Sequence, residues 1–220
     1  MDDRTTKWIL GLLIAALVLL AYNSFQLNAM KKIPANSLTN SVQKGGESSL
    51  GLDVIPKGIP EIYGNELGIA YDMVNPANLK LADAAIRKLA VFDQQITLEG
   101  ADKERYIKIT SQISCEYCCG AESIIFPNGE AACGCAHSFA MRGLAKYLIK
   151  YHPTEFTDDE ILEELGKWKT LFFPGKLTQK AQALQGKGLE LNYINLASNK
   201  YRGIEQGAAA AAGGGMVGGC

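Results

Sequence analysis

The sequence predicts an α+β protein with an N-terminal transmembrane helix, a flexible tether, and a small mixed domain whose cysteine-rich β-hairpin packs on several helices. Three observations lead there. An apolar run fills residues 8–25. Apolar residues recur at helical spacing in several later segments. Between those segments, five of the six cysteines crowd into "CEYCCGAESIIFPNGEAACGCAH", residues 115–137.

The chain has 220 residues, 47% of them hydrophobic, which suits one compact domain with additional ends. Its formal charge is -1. There is no dense Lys/Arg patch interleaved with aromatics and no DNA- or RNA-binding motif, so no nucleic-acid partner is expected. The expected organisation is a short tail (1–7), an anchor (8–25), a linker (26–51), a cysteine-rich domain (52–206) and a disordered Gly/Ala tail (207–220).

At ~1.5 Å rise per residue, the apolar run comes close to spanning a ~30 Å hydrocarbon core. Trp8 and Tyr22 stand where interfacial aromatics belong. A cleaved signal peptide is the alternative, but "AYNSFQLNAM" is a poor cleavage site. The basic flanks, Arg4 and Lys7 against Lys31 and Lys32, nearly balance. A short N-terminal tail before a single anchor commonly stays inside, so the domain is expected outside the cytoplasm on a single-pass membrane protein. The linker is rich in Ser, Asn, Gly and Lys, too polar to bury a core.

Residues 53–74, punctuated by Pro56, Gly58, Pro60, Gly64 and Gly68, read as an extended, turn-rich segment over the core. Residues 75–95 read as a helix with Asn75 as cap, Pro76 at its first position, and Leu79, Ala82, Ile86 and Leu89 as its apolar stripe. Residues 96–100 and 103–114 read as two strands, because Tyr106, Lys108 and Thr110 alternate with Ile107 and Ile109. Pro127-Asn128-Gly129 marks a tight turn, hence a hairpin that folds the first cysteine cluster back on the second.

A helix over 136–152 presents Ala140, Leu144, Tyr147 and Leu148 to the core. Another follows Thr157, which forms a capping box with Glu160 and buries Ile161, Leu165, Trp168 and Phe172. Pro174-Gly175 stops it. Residues 177–185 read as a short helix and 189–197 as a closing strand.

The chemistry lies in the cysteines. Cys115-x-x-Cys118 and Cys133-x-Cys135 are two clips that a hairpin can bring to one point. Tetrahedral zinc takes four such ligands with Zn–S near ~2.3 Å. Cys119 and His137 exceed a single four-ligand site, so the candidate metal ligands are Cys115, Cys118, Cys119, Cys133, Cys135 and His137. Thiolate-rich sites suit zinc, copper as Cu(I), or an iron–sulfur cluster. A c-type haem is excluded, because Cys119 stands where Cys-x-x-Cys-His needs its histidine.

Cys135 and His137 fall at a helix start, whose free N–H groups favour a thiolate. That helps metal binding and thiol redox chemistry alike. The expected function is a membrane-anchored metal-binding module, zinc first, rather than an enzyme. The alternative is a thiol-disulfide oxidoreductase or iron–sulfur electron carrier at the same cysteines. Disulfide stapling is the bland alternative outside the cytoplasm, but such short local loops stabilise little.

His152 reads as a cation at a helix end and Cys220 as a loose terminal thiol. No Ser/His/Asp arrangement, phosphate loop or dinucleotide fingerprint is present.

"CEYCCGAESIIF" and "ACGCAHSFAMRGLAKYLIKYHP" resemble a group of membrane-anchored proteins of small-genome archaea. The likeness runs from residue 53 through 160–175 and includes the terminal "MVGGC". It implies an anchored cysteine-rich domain and no established activity. Cys133-Gly134-Cys135 also matches part of the Pro-Cys-Tyr-Cys-Gly-Cys motif of bacterial exported proteins, whose Pro-Cys-Tyr part is absent here.

Overall fold

The computed structural model describes residues 53–206 and 215–219, all within one compact unit, Ser48–Cys220. The helices are α1 (Gly64–Leu67), α2 (Leu79–Gln95), α3 (Gly100–Thr110), α4 (Ala136–Tyr151), α5 (Asp158–Phe172), α6 (Pro174–Gly186) and α7 (Tyr193–Ala197). Short 3-10 turns lie at Tyr71–Met73 and Asn199–Tyr201.

Helix α4 is the centre. Its buried residues run around most of its circumference, including Ala140, Met141, Leu144, Ala145, Tyr147 and Leu148. That is the signature of a helix surrounded by others. It packs most closely on α2 and also meets α3 and α5. Gly143 makes the α2 contact possible, since a Cβ there would stand 2.0 Å from the Leu89 carbonyl oxygen. Gly166 gives α7 the same close approach to α5, with the Tyr193 carbonyl oxygen 2.7 Å from its absent Cβ.

Helix α5 carries the capping box expected of it. The Thr157 side chain accepts from Glu160 N, and the Glu160 carboxylate accepts from Thr157 N. Its apolar stripe Ile161, Leu165, Trp168 and Phe172 is fully buried, each side chain contributing about 1.5–3 kcal/mol of burial. The turn-rich segment 53–74 is fastened to α5 by a polar cluster. Tyr63 Oη and Tyr71 Oη both donate to Glu164 Oε2 at 2.6 Å, and Trp168 Nε1 donates to Tyr63 Oη at 2.7 Å. Burial leads the causes that push both tyrosine pKa values up, so both stay protonated donors.

The α+β expectation is corrected. The described residues are helical with no named strand, and only isolated bridges occur, Ile113 with Ser198 and Ile125 with Ala131. Residues 103–114 alternate too briefly to be decisive. Residues 100–110 close as a helix whose buried positions are Tyr106, Ile109 and Thr110, an i, i+3, i+4 series, and Ile113 beyond it makes the bridge to Ser198. Residues 193–197 are helical because the Asn192 side chain caps them, accepting from Asn195 N.

The Asn-Gly turn forms, with Gly129 at φ 87° and its N–H on the Phe126 carbonyl. It does not grow into a β-hairpin of named strands: Phe126 N–H bonds the Glu130 carbonyl at 2.7 Å and Ala132 N–H the Ile124 carbonyl at 3.2 Å, giving one isolated bridge. Arg142 Nη1 also donates to the carbonyls of Ile124 and Cys133, at 3.2 and 2.8 Å.

The cap of α2 also falls elsewhere. Asn78 caps it, accepting from Leu81 N, while Asn75 instead closes a local turn onto Ala77 N. Leu79 is exposed, and Ala85 joins Ala82, Ile86 and Leu89 on the buried face. Helix α6 starts at Pro174, where α5 has just ended. Among the described residues no helix is long and apolar enough to cross a membrane. The anchor expected at 8–25 and the linker at 26–51 lie outside the described residues.

Gly143→Ala should destabilise the protein by at least about 2 kcal/mol, because the new methyl meets backbone rather than a movable side chain. Gly186→Ala, with nothing within 4 Å of its Cβ, should be neutral or mildly stabilising. Urea unfolding of the two variants beside the parent measures both.

Candidate metal centre

Three of the six candidate ligands meet. The Sγ atoms of Cys115, Cys133 and Cys135 all lie within 4.8 Å of one another, and all three residues are buried. Cys115 and Cys135 stand 3.2 Å apart. A single tetrahedral ion with ~2.3 Å bonds to sulfur sets its ligands ~3.8 Å apart, so the three fit around one ion with little movement.

The loop holding Cys115 is clamped from several sides. Ser114 Oγ donates to Asn199 Oδ1 at 2.7 Å. Arg202 donates to the carbonyls of Gly120 and Ala121, both at 2.9 Å. Glu116, next to Cys115, takes a left-handed backbone, φ 58°. This turns its carboxylate inward, where Oε2 accepts from Lys169 at 2.9 Å and Lys180 at 3.3 Å, and Oε1 accepts from Gly203 N at 3.0 Å. Both lysine side chains are fully buried.

Burial alone would raise the Glu116 carboxyl, but the two ammonium groups hold it below the usual range. Burial pulls Lys169 down to about 8 against the pull of Glu116. Lys169 also lies near enough to Cys115 to feel charge on that sulfur.

Cys133 and Cys135 arrive from the other arm of the turn. Cys135 is the N-cap of α4, and its sulfur accepts from Ser138 N at 3.4 Å. The Cys115 sulfur stands 3.2 Å from it, and this contact holds the Cys135 thiol far below its ordinary pKa, helped by His137 and Ser138 and opposed by burial. The same contact, with burial, pushes Cys115 up. Of the two, the sulfur at the helix N-terminus is the one that favours negative charge.

The other candidates are placed differently. Cys119 is exposed, and its thiol reaches Cys133, which burial and this contact push up. Cys118 is disulfide-bonded. The buried His137 ring sits between Phe172 and Phe173, with centroids 4.6 and 5.0 Å away. Its Nε2–H donates to the Val217 carbonyl at 2.8 Å. His152 joins Glu66 Oε2 at 3.1 Å, away from the sulfurs. Cys220 lies outside the described residues.

Sequence reasoning passed over Ser138, Glu116, Arg142 and Lys169. Cys135-x-x-Ser138 has the spacing of a helix cap and was legible. The others act across long sequence separations and leave no local signal.

Glu116→Gln should destabilise the fold by about 3–5 kcal/mol, since two buried ammonium groups lose their counter-charge. Because the folded pKa of Glu116 is lowered from 4.5, its contribution is complete above about pH 4.5 and is lost as pH falls through the folded value. Melting temperatures between pH 6 and 3 should fall more steeply in the parent than in Glu116→Gln. Parallel curves would contradict this account of the carboxylate.

No family model matches the chain, and no solved structure matches it. Among curated proteins it is similar to a glycogen synthase of Kosmotoga olearia, 24% identical over 204 residues, covering 75% of this chain and 43% of that protein. The chain thus spans less than half the length of this curated relative.

Proposed function

We propose that the protein is a metal-binding module that holds one zinc ion on Cys115, Cys133 and Cys135, with Cys119 closing the tetrahedron. The convergence of three buried sulfurs within 4.8 Å carries the reading. A dithiol redox centre needs only two sulfurs, and its nucleophile must be reached by substrate. Here the third sulfur has no redox task, and all three are buried. Sulfurs on different irons of a cluster stand farther apart than the edge of one tetrahedron, so the spacing favours a single ion.

The surroundings suit thiolates. Cys135 has the N-terminal dipole and amide of α4, and Cys115 has Lys169 nearby. A disulfide at Cys118 fits an oxidising compartment, the side on which the domain is expected. Thiols 3.2 Å apart stay reduced in such a compartment when a metal holds them. Cu(I), which accepts three thiolates, is the second reading, favoured by the exposure of Cys119 relative to the buried triad.

Protein purified anaerobically should carry one colourless zinc per chain. Cys115→Ser, Cys133→Ser and Cys135→Ser should each lose it, and Cys119→Ser should weaken retention by at least tenfold. Elemental analysis with a visible spectrum decides: copper at one per chain supports the second reading, and a coloured iron centre or metal-free protein overturns both.

A further inference from the structure

His137 is completely buried, yet its Nδ1 has no hydrogen-bond partner. Its other ring nitrogen, Nε2, lies 2.8 Å from the Val217 carbonyl. A carbonyl can only accept, so the ring proton sits on Nε2 and Nδ1 presents a bare lone pair. Val217 is itself fixed, its N–H donating to the Phe172 carbonyl at 2.9 Å, and the Phe172 and Phe173 rings pack against the imidazole. A buried acceptor left without a donor is unfavourable and uncommon, and it marks a place where a water or an ion belongs. An imidazole that gives one N–H to a backbone carbonyl and keeps the other nitrogen bare is in the form that ligates metal ions.

The three sulfurs supply the second observation. His137 is close enough to Cys135 to help lower the pKa of that thiol, and Cys119 reaches Cys133. The centre thus has one extra donor beside Cys133, which is exposed, and another beside Cys135, which is buried. Neither belongs to the group whose atoms lie within 4.8 Å of one another. A tetrahedral ion held by three sulfurs has room for only one of the two.

We propose that His137 is a reserve ligand: when the exposed Cys119 lets go of the ion, His137 Nδ1 takes the fourth position and the ion stays on Cys115, Cys133 and Cys135. This rests on the zinc reading above and adds to it a route by which the centre opens to a partner thiol without losing its metal. The exchange breaks one Zn–S bond and forms one Zn–N bond. The Cys119 thiolate takes a proton from solvent, and His137 loses none, because its proton remains on Nε2. Three thiolates and an imidazole carry one negative charge less than four thiolates, so the inner set costs less to bury. Nδ1 stands outside the sulfur group and must close a gap to reach the ion, which makes it the second choice rather than the first.

The test follows zinc in the full chain, in Cys119→Ala, which offers no donor of its own, and in the double variant Cys119→Ala with His137→Leu. Transfer of zinc to a chromogenic chelator should be at least tenfold faster from the double variant than from Cys119→Ala. A second measurement does not depend on how His137→Leu folds. With 15N-labelled histidine, zinc should shift the His137 Nδ1 resonance in Cys119→Ala far more than in the parent, with Nε2 still protonated. A histidine that served only packing would show no such difference.

An unmoved Nδ1 resonance in zinc-loaded Cys119→Ala, or equal transfer rates from the single and double variants, overturns the reserve ligand and leaves the three-sulfur centre standing. Zinc absent from the parent overturns both.

Discussion

One buried carboxylate holds the cysteine loop to the helices. Glu116 joins Lys169 of α5, Lys180 of α6 and the Gly203 amide in a single cluster, and it does so from a left-handed backbone position beside Cys115. Taking two ammonium groups and a carboxylate out of water costs several kcal/mol per ion, which only close mutual contact offsets. The arrangement is therefore all-or-nothing: with every partner present the loop is fixed, and without one the others are stranded. Cys115 inherits its place from this constraint.

Arg142 plays the matching part on the other arm. Its guanidinium pairs with Asp93 on α2 at 2.8 Å and takes the carbonyls of Ile124 and Cys133. Between them, the two buried ion clusters bring a sulfur from each side of the Asn-Gly turn to a common point. Neither cluster touches a sulfur through a short bond, yet both decide where the sulfurs stand. The precision a metal site needs comes from such supporting contacts as much as from the ligands.

The helix N-terminus divides the labour among the thiols. Cys135, capping α4, is the sulfur that favours negative charge, and it stands 3.2 Å from Cys115. The nearby His137 spends its Nε2–H on the Val217 carbonyl, with its ring against Phe172 and Phe173. A Cys-x-His spacing therefore does not by itself make both residues ligands of one ion: the sulfur group that converges is Cys115, Cys133 and Cys135.

The sequence by itself determined what is local. The capping box of α5, the apolar stripes of α4 and α5, the tight turn at Gly129 and the concentration of sulfur in residues 115–137 are all set within a few residues and could be read directly. Only the tertiary structure decided what is not. Residues 100–110 and 193–197 are helices because their buried positions are chosen by neighbours far along the chain, and a short apolar pattern fits either period until those neighbours are known. The choice of Cys115, Cys133 and Cys135 from six candidates, and the docking of Val217 against Phe172, depend on contacts over long sequence separations. Side-chain type and spacing state which atoms can bond, whereas packing of distant helices fixes which of them come within reach.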